Sequence, residues 1–225
     1  EASTGAISGT IGSITRNGGG QLWLFNSATS AQAAPVAIGS TQLPNQIVGP
    51  WAIARLSGTF GFLTINSGTA ALATTTTLAA STNDTSGTNN YYYSLGNINL
   101  TLSGTVIANT LTVDSNGSGN FVLGPLFKTN AILFQRLSSG TVGTTASSRV
   151  TIPGGATEKS LTIYGPYGNF TFGAGIVEET AGSSVVWQSC NVPGSNSSVS
   201  MYLNGANNFT GPLVIGNNPN WQAAG

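Results

Sequence analysis

The chain has no histidine, one cysteine and only six basic and six acidic residues among 225, and each shortage closes off a class of function. Without histidine, the usual general base and the commonest metal ligand are missing, and a Ser-His-Asp arrangement is impossible. Cys190 stands alone, so no intrachain disulfide can form. We expect it to be a small buried hydrophobe, with an intermolecular bridge as the minority reading. The basic residues, Arg16, Arg55, Lys128, Arg136, Arg149 and Lys159, form no patch in sequence. Net charge is zero, which argues against nucleic acid, since phosphates demand clustered Lys or Arg. A polybasic membrane-surface segment is absent too. No apolar run approaches the roughly 20 residues of a membrane helix, so no membrane insertion is expected.

What is there is small, polar and uncharged. Glycine numbers 31, hydrophobic residues make up 40%, and Ser, Thr, Asn and Ala fill most remaining places. Disorder couples low hydrophobicity with high net charge, and this chain has neither. Hydroxyls and amides suit turns and exposed strand faces, where they bond to nearby backbone. The composition reads as all-β. The chain starts at Glu1 without methionine, from which we expect a removed leader or a piece of something longer.

Strand signals recur along the chain as short apolar runs bounded by Gly, Asn, Ser or Pro. They include QLWLF (Gln21 to Phe25), FGFLTI (Phe60 to Ile65), NLTLSG, TLTVD, FVLG and AILF (Ala131 to Phe134). SRVTIPG, SLTIYG, NFTFG, SVVWQS, VSMYL and PLVIG continue the series. The best helical candidate, Ala70 to Ser81, contains four consecutive threonines that disfavour helix, leaving short helix, strand or ledge open. Spacing of roughly 9 to 12 residues fits a sandwich, a barrel or a solenoid. Leu, Ile, Val or Phe at central positions with Thr or Ser alternating, and few Asn-Gly hairpin turns, favour the solenoid. We therefore expect one parallel β-helix over residues 1–225. At about 20 to 25 residues per coil it would make roughly nine to eleven coils, about 45 Å of rod. The competing expectation is a pilin-like β-sandwich whose N-terminal strand, Ala6 to Ile14, completes a neighbouring subunit.

One stretch carries a more particular pattern. In YLNGANNFTGPLVI the residues Leu203, Gly205, Ala206, Asn207, Phe209, Thr210, Gly211 and Ile215 follow L-x-L-x-G-A-N-x-Y/F-T-G-x-x-x-I. This resembles the repeat of autotransporter-associated β-strand proteins. Gly5 to Phe25 is similar to the half that precedes that motif, Ile47 to Ala54 to the family's I-G-x-W-A segment, and Thr105 to Gly124 to its coils. The stretch after Phe25 departs from the pattern, lacking the G-A-N-x-Y-T-G core. The resemblance implies a right-handed parallel β-helix in a large bacterial protein, secreted or displayed at the cell surface as a stalk, adhesin or coat.

Few groups remain for chemistry. The acids are Glu1, Asp84, Asp114, Glu158, Glu178 and Glu179. Glu178 and Glu179 are adjacent and would face opposite ways on a strand, Asp114 and Glu158 could meet only on stacked coils, and we expect solvated turn charges and no enzyme. Oxygen-rich turns surround Asp84 and Asp114, but neither has the spacing of a calcium loop, and no cofactor or metal is expected. Asn83, Asn99, Asn116, Asn169, Asn196 and Asn208 open glycosylation sequons, which a chain so rich in Asn, Ser and Thr contains by chance. Tyr91, Tyr92 and Tyr93 are the candidate contacts for surface glycans, because a half-buried strand exposes at least one of three successive rings. Trp23, Trp51, Trp187 and Trp221 read as core or coil-edge packing. Open coils present strand edges, so end-to-end self-association is expected at Ala6, Ile7, Ile11 and Ile14 and at Leu213, Ile215 and Trp221.

Overall fold

The computed structural model describes residues 9–11, 21–25, 36–38, 47–56, 58–66, 69–94, 100–115, 120–123, 126–137, 140–142, 148–155, 159–165, 169–189 and 200–217. Every regular element among them is a strand. The chain divides into two compact units, Glu1–Thr74 and Thr75–Gly225. Expected as one solenoid over residues 1–225, the chain pairs its described strands in parallel throughout the second unit and mixes parallel with antiparallel pairs in the first.

The first unit holds β1 (Gly9–Ile11), β2 (Leu22–Phe25), β3 (Val36–Ile38), β4 (Ala52–Leu56), β5 (Thr59–Asn66) and β6 (Thr69–Leu72) in one sheet, ordered β1-β3-β6-β5-β4-β2. Pairing is mixed: β1–β3 and β2–β4 are parallel, whereas β4–β5, β5–β6 and β3–β6 are antiparallel. The reason is local. β4 ends at Leu56 and β5 begins at Thr59, with Gly58 at a φ of 82° in the turn. A parallel partner would need a crossover of a dozen or more residues, so the chain must double back. A core of Val48, Ala52, Ala54, Leu63 and Ile65 forms beneath, joined by Leu22, Leu24 and Trp51.

The second unit is a right-handed parallel β-helix with three faces. The first face stacks β7 (Thr76–Thr77), β8 (Asn90–Ser94), β11 (Thr110–Ser115), β14 (Ala131–Leu137), β17 (Ser160–Gly165), β20 (Ser184–Ser189) and β22 (Leu213–Asn217). The second stacks β9 (Leu100–Thr101), β12 (Asn120–Val122), β15 (Gly140–Val142), β18 (Asn169–Phe172) and β21 (Ser200–Leu203). The third stacks β10 (Thr105–Ile107), β13 (Leu126–Lys128), β16 (Arg149–Ile152) and β19 (Gly175–Glu178). The chain visits the faces in that order, so β11, β12 and β13 trace one circuit and β14, β15 and β16 the next. All pairing within these faces is parallel, which excludes the antiparallel sandwich. Nine to eleven coils was too many, because antiparallel pairs interrupt the stacking in the first unit and a coil takes roughly 20 to 30 residues.

Side-chain ladders run through the stack. On the first face Tyr91, Leu111, Ile132, Ile163, Trp187 and Ile215 lie in register from β8 to β22. On the third face Val106, Phe127, Val150 and Ile176 do the same, all fully buried. These ladders merge into one core with Phe134, Leu161, Phe172 and Val185. Each fully buried large apolar side chain contributes about 1.5 to 3 kcal/mol, and no coil could bury its ladder residues alone. The alternate positions of the first face differ from expectation. Thr110, Thr112 and Thr162 are buried rather than solvated, as are Leu133, Tyr164 and Val186. The middle strands of this face are thus covered on both sides, a pattern usual in parallel sheets.

Candidate functional site

The buried ladders stop at β22. Val185 donates its backbone N–H to the Pro212 carbonyl, so Pro212 and Val214 turn their backbone groups toward β20. By the alternation of a strand, Leu213, Ile215 and Asn217 direct their N–H and C=O outward, at the edge of the sheet. Leu213 and Ile215 continue the interior ladders above Val185 and Trp187. With no further strand over them among the described residues they are 44% and 64% exposed, and Val214 between them is 39% exposed. Tyr202 on β21, the edge strand of the second face, is 52% exposed. Together these four are the large hydrophobic side chains that stand out among the described residues.

The G-A-N-x-F-T-G stretch explains how this last coil is held. A Cβ at Gly205 would collide with the Ala174 carbonyl, and one at Gly211 with the Ser183 carbonyl. Only glycine lets the corner descend onto the coil below. Asn207 uses its side-chain oxygen to accept the Ile176 N–H at 3.0 Å, and Asn208 donates its N–H to the Ile176 carbonyl at 2.7 Å. The stretch thereby closes the third face without forming a strand, and Phe209 packs against the core. At the other end of that face Asp84 plays the matching part, donating to the Thr105 carbonyl and accepting from the Ile107 N–H.

Glu178 and Glu179, expected as solvated turn charges, tie coils together, whereas Asp84 bonds within its own turn. Glu178 accepts the Thr210 hydroxyl at 2.7 Å and the Ser183 N–H at 3.0 Å, while Thr210 itself accepts the Gly182 N–H at 2.8 Å. The Thr210 hydroxyl, helped by backbone N–H groups, holds the Glu178 carboxyl below its ordinary range. Glu179 pairs with Lys128 two coils away and accepts the Gly154 N–H at 2.8 Å, and both interactions keep it ionised. Asp84 accepts Ser86 N–H at 2.8 Å, the Asn89 amide at 2.8 Å and the Tyr91 hydroxyl at 2.7 Å. Burial alone would raise its pKa, but these donors outweigh burial and bring it to about 2.

The tyrosine run does not make a flat stacking platform. Tyr91 and Tyr93 are buried, and burial raises both hydroxyl pKa values, Tyr91 to about 12 with the neighbouring Asp84 carboxylate adding to the shift. Tyr92 faces the other way, half-buried, and donates its hydroxyl to Asp114 at 3.1 Å. Asn83 and Asn208 are exposed among the sequon residues. Ile11 lies in β1, whereas Ala6, Ile7, Ile14, Trp221, Cys190 and Glu158 fall outside the described residues. Of the residues expected at an assembly edge, Leu213 and Ile215 are brought together on one strand. Val214 and Tyr202 were missed because strand alternation marks one as outward and neither belongs to the motif. Among the described residues no three His, Cys, Asp or Glu lie together as a metal site. Compared with known proteins, the chain matches no family model, no curated protein and no solved structure.

Proposed function

We propose that this chain is a non-catalytic structural protein, a β-helical subunit or segment of a bacterial surface fibre, stalk or adhesin that assembles through an exposed strand end. The observation that carries the reading is β22, a sheet edge whose two ladder residues are more than two-fifths exposed. Natural edge strands are usually guarded by charge, proline or a covering segment. β22 carries no charge, and Leu213, Val214 and Ile215 stand at the positions where β17 buries Leu161, Thr162 and Ile163. Glu178 and Glu179 support the reading, since their hydrogen bonds fasten one coil to the next. The resemblance to autotransporter-associated repeats supports an extracellular or cell-surface setting. A glycan-binding module is the weaker reading, because two of the three tyrosines that motivated it face the interior.

Negative-stain electron microscopy of the purified chain over a concentration series tests this. Elongated particles joined through their ends are expected. Particles that stay single at every concentration would sink the proposal.

A further inference from the structure

The first face has two ends, and they are unlike. At one end β7 is two residues long, and both Thr76 and Thr77 are exposed. At the other, β22 is five residues long with Leu213, Val214 and Ile215 exposed. Every strand between them is paired on both sides. A joint of β22 onto the β7 edge of a second copy would set three exposed apolar side chains against two threonines. That contact leaves much of Leu213 and Ile215 uncovered.

A joint between like ends has no such mismatch. We infer that the occupant of the β22 edge is β22 of a second copy of this chain, antiparallel across a twofold axis, with Ile215 opposite Ile215. This rests on the reading of β22 as an assembly edge, and it names the partner and its direction. The outward N–H and C=O of Ile215 are the groups that an antiparallel neighbour exchanges at a hydrogen-bonded pair. In this register Leu213 falls opposite Asn217, so each copy's exposed ladder residues meet the same strand of the other. Residues 200–217 contain no Lys, Arg, Asp or Glu, so two like ends meet without charge repulsion.

Sedimentation velocity on the full chain across a concentration series, with circular dichroism as the fold control, is the experiment. The expected result is a monomer–dimer equilibrium that stops at two. Ile215→Lys, at a position already 64% exposed, keeps the β-sheet spectrum and weakens the dimer by at least about tenfold. An independent variant, Ile215→Cys combined with Cys190→Ser, oxidises to a covalent dimer, because Cα atoms of such a pair lie about 5.5 Å apart. Species that keep growing with concentration, are lost in Ile215→Lys and give no cross-link in the Ile215→Cys variant overturn the head-to-head joint while leaving the assembly edge standing. A chain that stays monomeric, or a dimer indifferent to Ile215→Lys, overturns the edge reading as well.

Discussion

β17 and β22 are written in nearly the same way and end in opposite environments. SLTIYG places Leu161 and Ile163 on the interior ladders, and both are fully buried. LVIGN places Leu213 and Ile215 on the same ladders two coils further on, at 44% and 64% exposure. Nothing in either strand's own residues sets the difference. It comes from whether another coil lies above, which is the sense in which a solenoid's stability belongs to its interfaces rather than its repeats.

The sharpest way to break the comparison is to shorten both side chains. Ile163→Ala should cost about 2 to 5 kcal/mol in denaturant unfolding, because the ladder cannot collapse around the void. Ile215→Ala, measured at low protein concentration, should change stability by less than about 0.5 kcal/mol. Equal losses would mean that Ile215 is covered in solution.

A smaller effect comes from the corner that seats the last coil. Gly205→Ala forces a Cβ against the Ala174 carbonyl and should destabilise by about 1 to 3 kcal/mol, as overpacking does. The loss should concentrate in the last coil, seen as faster amide exchange at Asn208 while Leu133 stays protected. Uniform acceleration through the unit would contradict that placement.

The mildest test is acid. Glu178 and Glu179 are held below their ordinary 4.5, and Asp84 is lowered from 3.8 to about 2. For carboxylates depressed in the folded state, their stabilisation is complete above the unfolded values and lost as pH falls through the folded ones. The Gly182 and Ser183 amides should therefore lose protection as pH drops below about 4.5, and the turn at Ser86 only toward about 2. Glu178→Gln should abolish the first change. If it leaves the acid response intact, the Glu178–Thr210 tie is not its source.

Much of this architecture was legible in advance. β11, β14, β17 and β20 coincide with TLTVD, AILF, SLTIYG and SVVWQS because each is long enough to show two inward residues and so declare its period. β10, β13 and β19 escaped notice. Each buries one central ladder residue, Val106, Phe127 or Ile176, beside a partly buried apolar neighbour, Ile107, Leu126 or Val177, and so shows no alternation to read. That omission is why the spacing fitted sandwich, barrel and solenoid alike. The burial of Thr112 and Thr162 was hidden for another reason, since threonine is equally at home on a wet face and a dry one. At the candidate edge, Leu213 and Ile215 were readable as strand residues whose exposure needed the stack to be seen. The tyrosine run was ambiguous because aromatic rings that can bind sugar are also the rings that fill a core, as Tyr91 and Tyr93 do.

The registers hold a further consequence. Ile132 sits over Leu111 and under Ile163, yet the second step takes visibly more chain than the first. The surplus leaves the ladders undisturbed, and lengthening a loop costs only slowly growing closure entropy. Coil length is thus a free variable at the corners while the cross-section stays constant. A lineage of such chains can vary what it displays along its flanks, insertion by insertion, without renegotiating the interior that holds the shaft together.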